Sequence, residues 1–135
     1  MKTEKPRKES ILEDMKKNLV AQREANEAIF EAKRKRVAIE HTINTIRAHK
    51  KVIVTNLRGP DGKPQYGSDP KIDARADELL DEDDDYRMAI EIKQKIEEEI
   101  FTAKLDLSYL EGEWKILLVE AALIDDDSGI MSVKV

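Results

Sequence analysis

The chain has 135 residues, 39% of them charged and only 4% aromatic, with a formal net charge of −5 and no cysteine. That mixture suits long helices with solvated faces better than a thick globular core, and it excludes disulfides and thiolate metal sites. No apolar run approaches the roughly 18 residues of a membrane span, and the basic segment 1–9 is not followed by a signal-type apolar block, so a soluble cytoplasmic protein with no membrane contact is expected.

The charge is unevenly divided. Residues 1–58 carry 15 Lys/Arg and 8 Asp/Glu, a net +7, whereas residues 59–135 carry 9 and 21, a net −12. Such a split suits either a polyanion-binding half or two halves that attract each other.

In chain order, residues 1–10 read as a flexible polar tail ending at Ser10, a candidate N-cap with Glu13 at the capping-box position. Residues 11–58 contain neither Gly nor Pro and form a long basic helix. At about 100° per residue, Ala21, Ala25, Ala28, Ala32, Ile39, Ile43, Ile46, Ile53 and Leu57 share one face. Residues 59–71 form a Gly/Pro loop with at least one tight turn. Residues 72–124 then hold a short helix through Ile72, Ala76, Leu79 and Leu80, an acidic link at Asp81–Asp85, and a second long helix from about Tyr86 to about Ile124. Residues 125–135 read as an acidic, flexible tail.

The second long helix carries the strongest pattern. Alternate steps of four and three from Ala89 reach Lys93, Ile96, Ile100, Ala103, Leu107, Leu110, Trp114, Leu117, Ala121 and Ile124, and only Lys93 is not apolar. A 3.5-residue spacing held over about five heptads keeps one stripe against a partner helix. The expected fold is therefore all-α: a long antiparallel helical hairpin or coiled coil with a short intervening helix, oligomeric through the seam at Ile96, Ile100, Leu107, Leu110, Trp114 and Leu117.

No catalytic arrangement stands out, and no metal or cofactor is expected. His41 and His49 lie about two turns apart with no carboxylate pattern joining them, and neither acidic run has the glycine or spacing of an EF-hand loop. The basic stretch is more informative. Lys33, Arg34, Lys35, Arg36, Arg47, Lys50, Lys51 and Arg58 face a single acid, Glu40, over the same interval. Arg36, Arg47 and Arg58 recur every eleven residues, close to three helical turns, with Lys33 and Lys51 near the same azimuth. Cations spaced in this way track a phosphate backbone. They are equally suited to pairing with acids of the second helix, such as Glu97, Glu98, Glu99 and Asp106. Aromatic interleaving is poor, and Tyr66 in the loop is the one candidate stacking platform.

The ending LDLSYLEGEWKILLVEAALI, residues 105–124, follows a basic helix, a Gly-rich turn and an acidic segment. In length, element order and this Leu/Tyr/Trp pattern the chain resembles the small helical recombination mediators of bacteriophages, the UvsY type. The resemblance implies a non-enzymatic DNA recombination accessory that forms a homo-oligomer, binds single-stranded DNA, and engages a recombinase or single-strand-binding protein in the bacterial host cytoplasm. It would make the basic residues from Lys33 to Arg58 the DNA contacts, and the helix bearing Leu107, Leu110, Trp114 and Leu117 the assembly element. The net acidity and long Asp/Glu runs depart from that pattern. The alternative is a coiled-coil adaptor or inhibitor of a host protein with no nucleic-acid binding.

Overall fold

The computed structural model describes residues 4–134, with side chains described over 7–124. It is all-helical: α1 spans Glu4–Asn56, α2 Asp69–Asp81 and α3 Asp84–Lys134. The described residues contain no strand, only an isolated bridge between Arg58 and Pro64.

Two boundaries differ from the sequence expectation by more than three residues. α1 starts at Glu4, so Ser10 lies inside the helix and does not cap it. Pro6 falls in the first turn, where its missing N–H has no helical partner to lose. α3 runs past Ile124 through the Asp-rich segment to Lys134. That segment holds no proline, and a single interior Gly costs only about 1 kcal/mol, which a continuing helix absorbs. The side chains of 125–135 lie outside the described residues.

The chain forms two compact units, one from residues up to Glu31 together with those from Ile100, the other from Ala32–Glu99. Within each, α1 and α3 pack antiparallel. The inward positions of α1 follow a strict seven-residue repeat. Ile11, Asn18, Ala25, Ala32, Ile39 and Ile46 form one series, and Met15, Gln22, Ile29, Arg36, Ile43 and Lys50 the other, all buried or half-buried. Ala28 and Ile53, expected on this face, are exposed instead. Ala28 lies off both series, whereas Ile53 is the step after Ile46, where the repeat stops and the contact with α2 turns Val54 inward instead.

The second unit has a distinct small core where α1 meets α2. Val54 is fully buried there with Ile72 and Ala76, and Tyr66 and Leu79 pack against them. The loop before α2 closes tightly: Gly59 N–H donates to Lys63 O at 2.8 Å, Gly62 N–H to Gly59 O at 3.0 Å, and Gln65 N–H to Leu57 O at 3.0 Å. Gly62 has φ of 78°, a left-handed conformation that suits glycine. Pro70 sits in the first turn of α2, where its fixed φ favours helix initiation.

Candidate nucleic-acid interface

The eight expected cations all lie in the second unit, but they do not form one uniform stripe. Arg58 lies beyond the end of α1, and its guanidinium donates to the carbonyls of Thr55 and Leu57 at 3.2 and 3.4 Å. Arg36 sits half-buried at an inward heptad position, and Arg47 is exposed. The eleven-residue recurrence therefore does not place the three arginines side by side, because the inward face follows a seven-residue repeat.

The C-terminal members are engaged within the unit. Lys50 pairs with Asp83 at 2.7 Å, both side chains being about four-fifths buried. Lys51 pairs with Asp73 of α2 at 3.3 Å, with both groups more than half exposed. Arg47 donates to the Tyr86 hydroxyl at 2.8 Å, and its guanidinium carbon lies 5.5 Å from that ring's centre. These acids are Asp73 and Asp83, not the expected Glu97, Glu98, Glu99 and Asp106. The α1/α3 ion pair further along runs with the opposite polarity, from Lys93 to Glu40 at 3.7 Å.

Asp83 explains much of the acidic link. Its carboxylate accepts the Tyr86 N–H at 2.8 Å and its carbonyl accepts the Arg87 N–H at 3.0 Å, so it caps the N-terminus of α3. The Lys50 ammonium, and then the Tyr86 amide, hold its carboxyl below the usual range.

Lys33, Arg34, Lys35 and Arg36 make four consecutive cations, the first three exposed. Neither Lys33 nor Lys35 has a carboxylate within 4 Å among the described residues. Lys33 and Lys35 are the members of the basic stretch least committed to the fold. Tyr66 is half-buried on the Val54 core, so its ring serves packing rather than an open platform. His41 and His49 are both exposed, and no group of three metal-type ligands occurs among the described residues.

The α3 seam faces α1 of the same chain. Ile96 and Ile100 are buried, while Leu107, Leu110, Trp114 and Leu117 are half-buried. Sequence reasoning missed Asn18, which is 5% exposed and donates through Nδ2 to the Leu110 carbonyl at 2.9 Å. Gln22 donates to the Asn18 carboxamide oxygen at 2.6 Å. The signal was available: Asn18 lies one heptad after Ile11, but a search for apolar residues passes over it. Beside this pair a groove of about 510 Å³ opens between Asp14, Lys17, Ala21, Glu113, Ile116 and Leu117.

Comparison with protein-family models, curated proteins and solved structures finds no match. Among the described residues, no helix is long and apolar enough to cross a membrane.

Proposed function

We propose that this chain is a non-enzymatic recombination accessory that binds single-stranded DNA through α1, in the manner its mediator-like sequence pattern implies. The observation that carries the reading is the block Lys33–Arg36. Within this run Lys33 and Lys35, exposed and free of carboxylate partners, can meet phosphates at little cost to the fold. The interface is smaller than the sequence stripe: Lys50, Lys51 and Arg47 hold α1 to α2 and α3, and the DNA contact centres on the N-terminal block. In this reading the chain acts as a homo-oligomer and hands DNA to a recombinase or single-strand-binding protein.

The test is a titration of labelled oligo(dT) at low salt, followed by anisotropy, with Lys33→Ala/Lys35→Ala as the variant. Binding that the double variant weakens, at unchanged helix content, supports the assignment. No binding by the intact protein at low salt rejects it.

One observation favours a second reading, a protein-binding coiled-coil adaptor. In the contacts of Lys50 with Asp83, Lys51 with Asp73 and Arg47 with Tyr86, three of the eight cations serve intramolecular cohesion. An acidic surface without DNA affinity fits that role.

A further inference from the structure

The first unit carries a second apolar stripe on α3, whose side chains stay more than half exposed although Tyr109 and Ile116 border the grooves beside α1. Leu105, Tyr109, Ile116, Val119 and Leu123 are each between 55% and 68% exposed. Their spacing is not scattered. Alternate steps of four and three from Leu105 reach Tyr109, Gly112, Ile116, Val119 and Leu123, a second heptad series with glycine at its centre. Each position lies two residues after one of the first seam, Leu107 to Tyr109 and so on through Ala121 to Leu123. Two residues turn a helix by about 200°, so the second stripe lies almost opposite the first. It ends where the first unit begins, because the preceding positions, Glu98 and Thr102, are polar.

Such a stripe is about 27 Å long, and a helix apolar on two opposite faces is built to be covered on both. Nothing within 4 Å would meet a Cβ placed at Gly112, so the middle of the stripe is open to close approach by another backbone.

We propose that this face binds the same face of a second copy of the chain, as a parallel, in-register two-helix seam. The flanking charges select both partner and direction. In a parallel pair, the residue preceding a core position on one helix faces the residue five further along on the other. Lys115 then meets Glu120 of the second copy, and symmetry makes the contact twice. In an antiparallel pair the flank bearing Asp106, Glu113 and Glu120 would face its own copy, setting carboxylate against carboxylate. The self-association surface is thus not the first seam, which α1 occupies, and it does not depend on any nucleic-acid contact.

Sedimentation equilibrium at micromolar concentration tests this with the full chain. The wild type is expected to associate. Ile116→Lys/Val119→Lys is expected to weaken association at least about tenfold while leaving helix content unchanged, because both side chains are exposed in the single chain. Lys115→Glu should weaken association, and adding Glu120→Lys to it should restore it. The absence of native cysteine makes direction readable. Leu105→Cys and Leu123→Cys, made separately, should each form a self-disulfide on oxidation. Cross-linking only in a mixture of the two would overturn the parallel register. A single-chain mass for the wild type, or an unchanged mass for the Ile116/Val119 variant, would overturn the face.

Discussion

The Asn18 carboxamide donates to the main-chain carbonyl of Leu110 at 2.9 Å, joining α1 to α3 across 92 positions of sequence. Asn18 occupies an inward heptad position and is 5% exposed, so it is a polar group buried in the seam. A buried polar residue at such a position admits few registers, because a slip leaves its donors without an acceptor. The link therefore sets how α1 lies on α3 in this unit. Asn18→Ala should cost about 1–2 kcal/mol of unfolding free energy in denaturant titration. Asn18→Asp should cost more, since a carboxylate there would face the Leu110 carbonyl without a proton to donate. Equal melting of all three proteins would show that this contact does not fix the packing.

At the end of α1 the seven-residue repeat gives way, because the last turn packs on α2. Val54 is fully buried against Ile72 and Ala76, whereas the neighbouring Ile53 is 38% exposed. Val54→Ala removes two buried methyl groups and leaves a cavity, a loss of about 2 kcal/mol. Ile53→Ala, the larger truncation, should cost clearly less. Chemical denaturation of both variants checks the ranking, and the reverse order would place Ile53 in the core.

These residues also show what the sequence made legible. The α3 seam could be read in full because its positions are regularly spaced and all but Lys93 are apolar, and every one of them is buried or half-buried. The matching face of α1 was read only in part. Its inward positions include Asn18, Gln22, Arg36 and Lys50, whose polar ends hide the repeat from a count of apolar residues. Long cationic side chains lay their methylene stems along a seam and carry the charge to its edge. The pairing of Lys50 and Lys51 could not be assigned from sequence for a related reason. Their partners Asp83 and Asp73 come into reach only once the loop and α2 fold back over the end of α1.

Asp83 gives the fold a pH dependence of defined sign. Its folded pKa lies below the ordinary carboxylate value of about 3.9, owing first to Lys50 and then to the Tyr86 amide. A group depressed on folding contributes stability that is fully present above its unfolded pKa and lost as pH falls through the folded one. Melting temperature should therefore hold above about pH 5 and decline below pH 4. Asp83→Asn keeps an acceptor for the Tyr86 amide but removes the charge, so its acid decline should be shallower than that of the wild type. Asp83→Ala removes the cap as well, and should melt below Asp83→Asn at neutral pH. Parallel acid profiles for the wild type and Asp83→Asn would remove Asp83 from the account.

The two ends of the basic stretch should respond oppositely to neutralisation. Each phosphate contact on a single strand contributes roughly −0.7 to the slope of log affinity against log salt. If Lys33 and Lys35 each meet a phosphate, Lys33→Ala/Lys35→Ala should flatten that slope by about 1.4 and lower affinity most at low salt. Its melting temperature should stay that of the wild type, since neither lysine has a carboxylate within 4 Å to lose. Lys50→Ala should do the reverse. It strips the partner from a largely buried Asp83, so melting temperature should fall while the salt slope stays unchanged. Lys51→Ala should change melting only slightly, because its pair with Asp73 is exposed and water-screened. Anisotropy titrations over a salt series, read beside thermal melts of the same samples, separate a phosphate contact from a structural cation. A slope lost with Lys50 rather than with Lys33 and Lys35 would move the DNA contact to the loop end of α1.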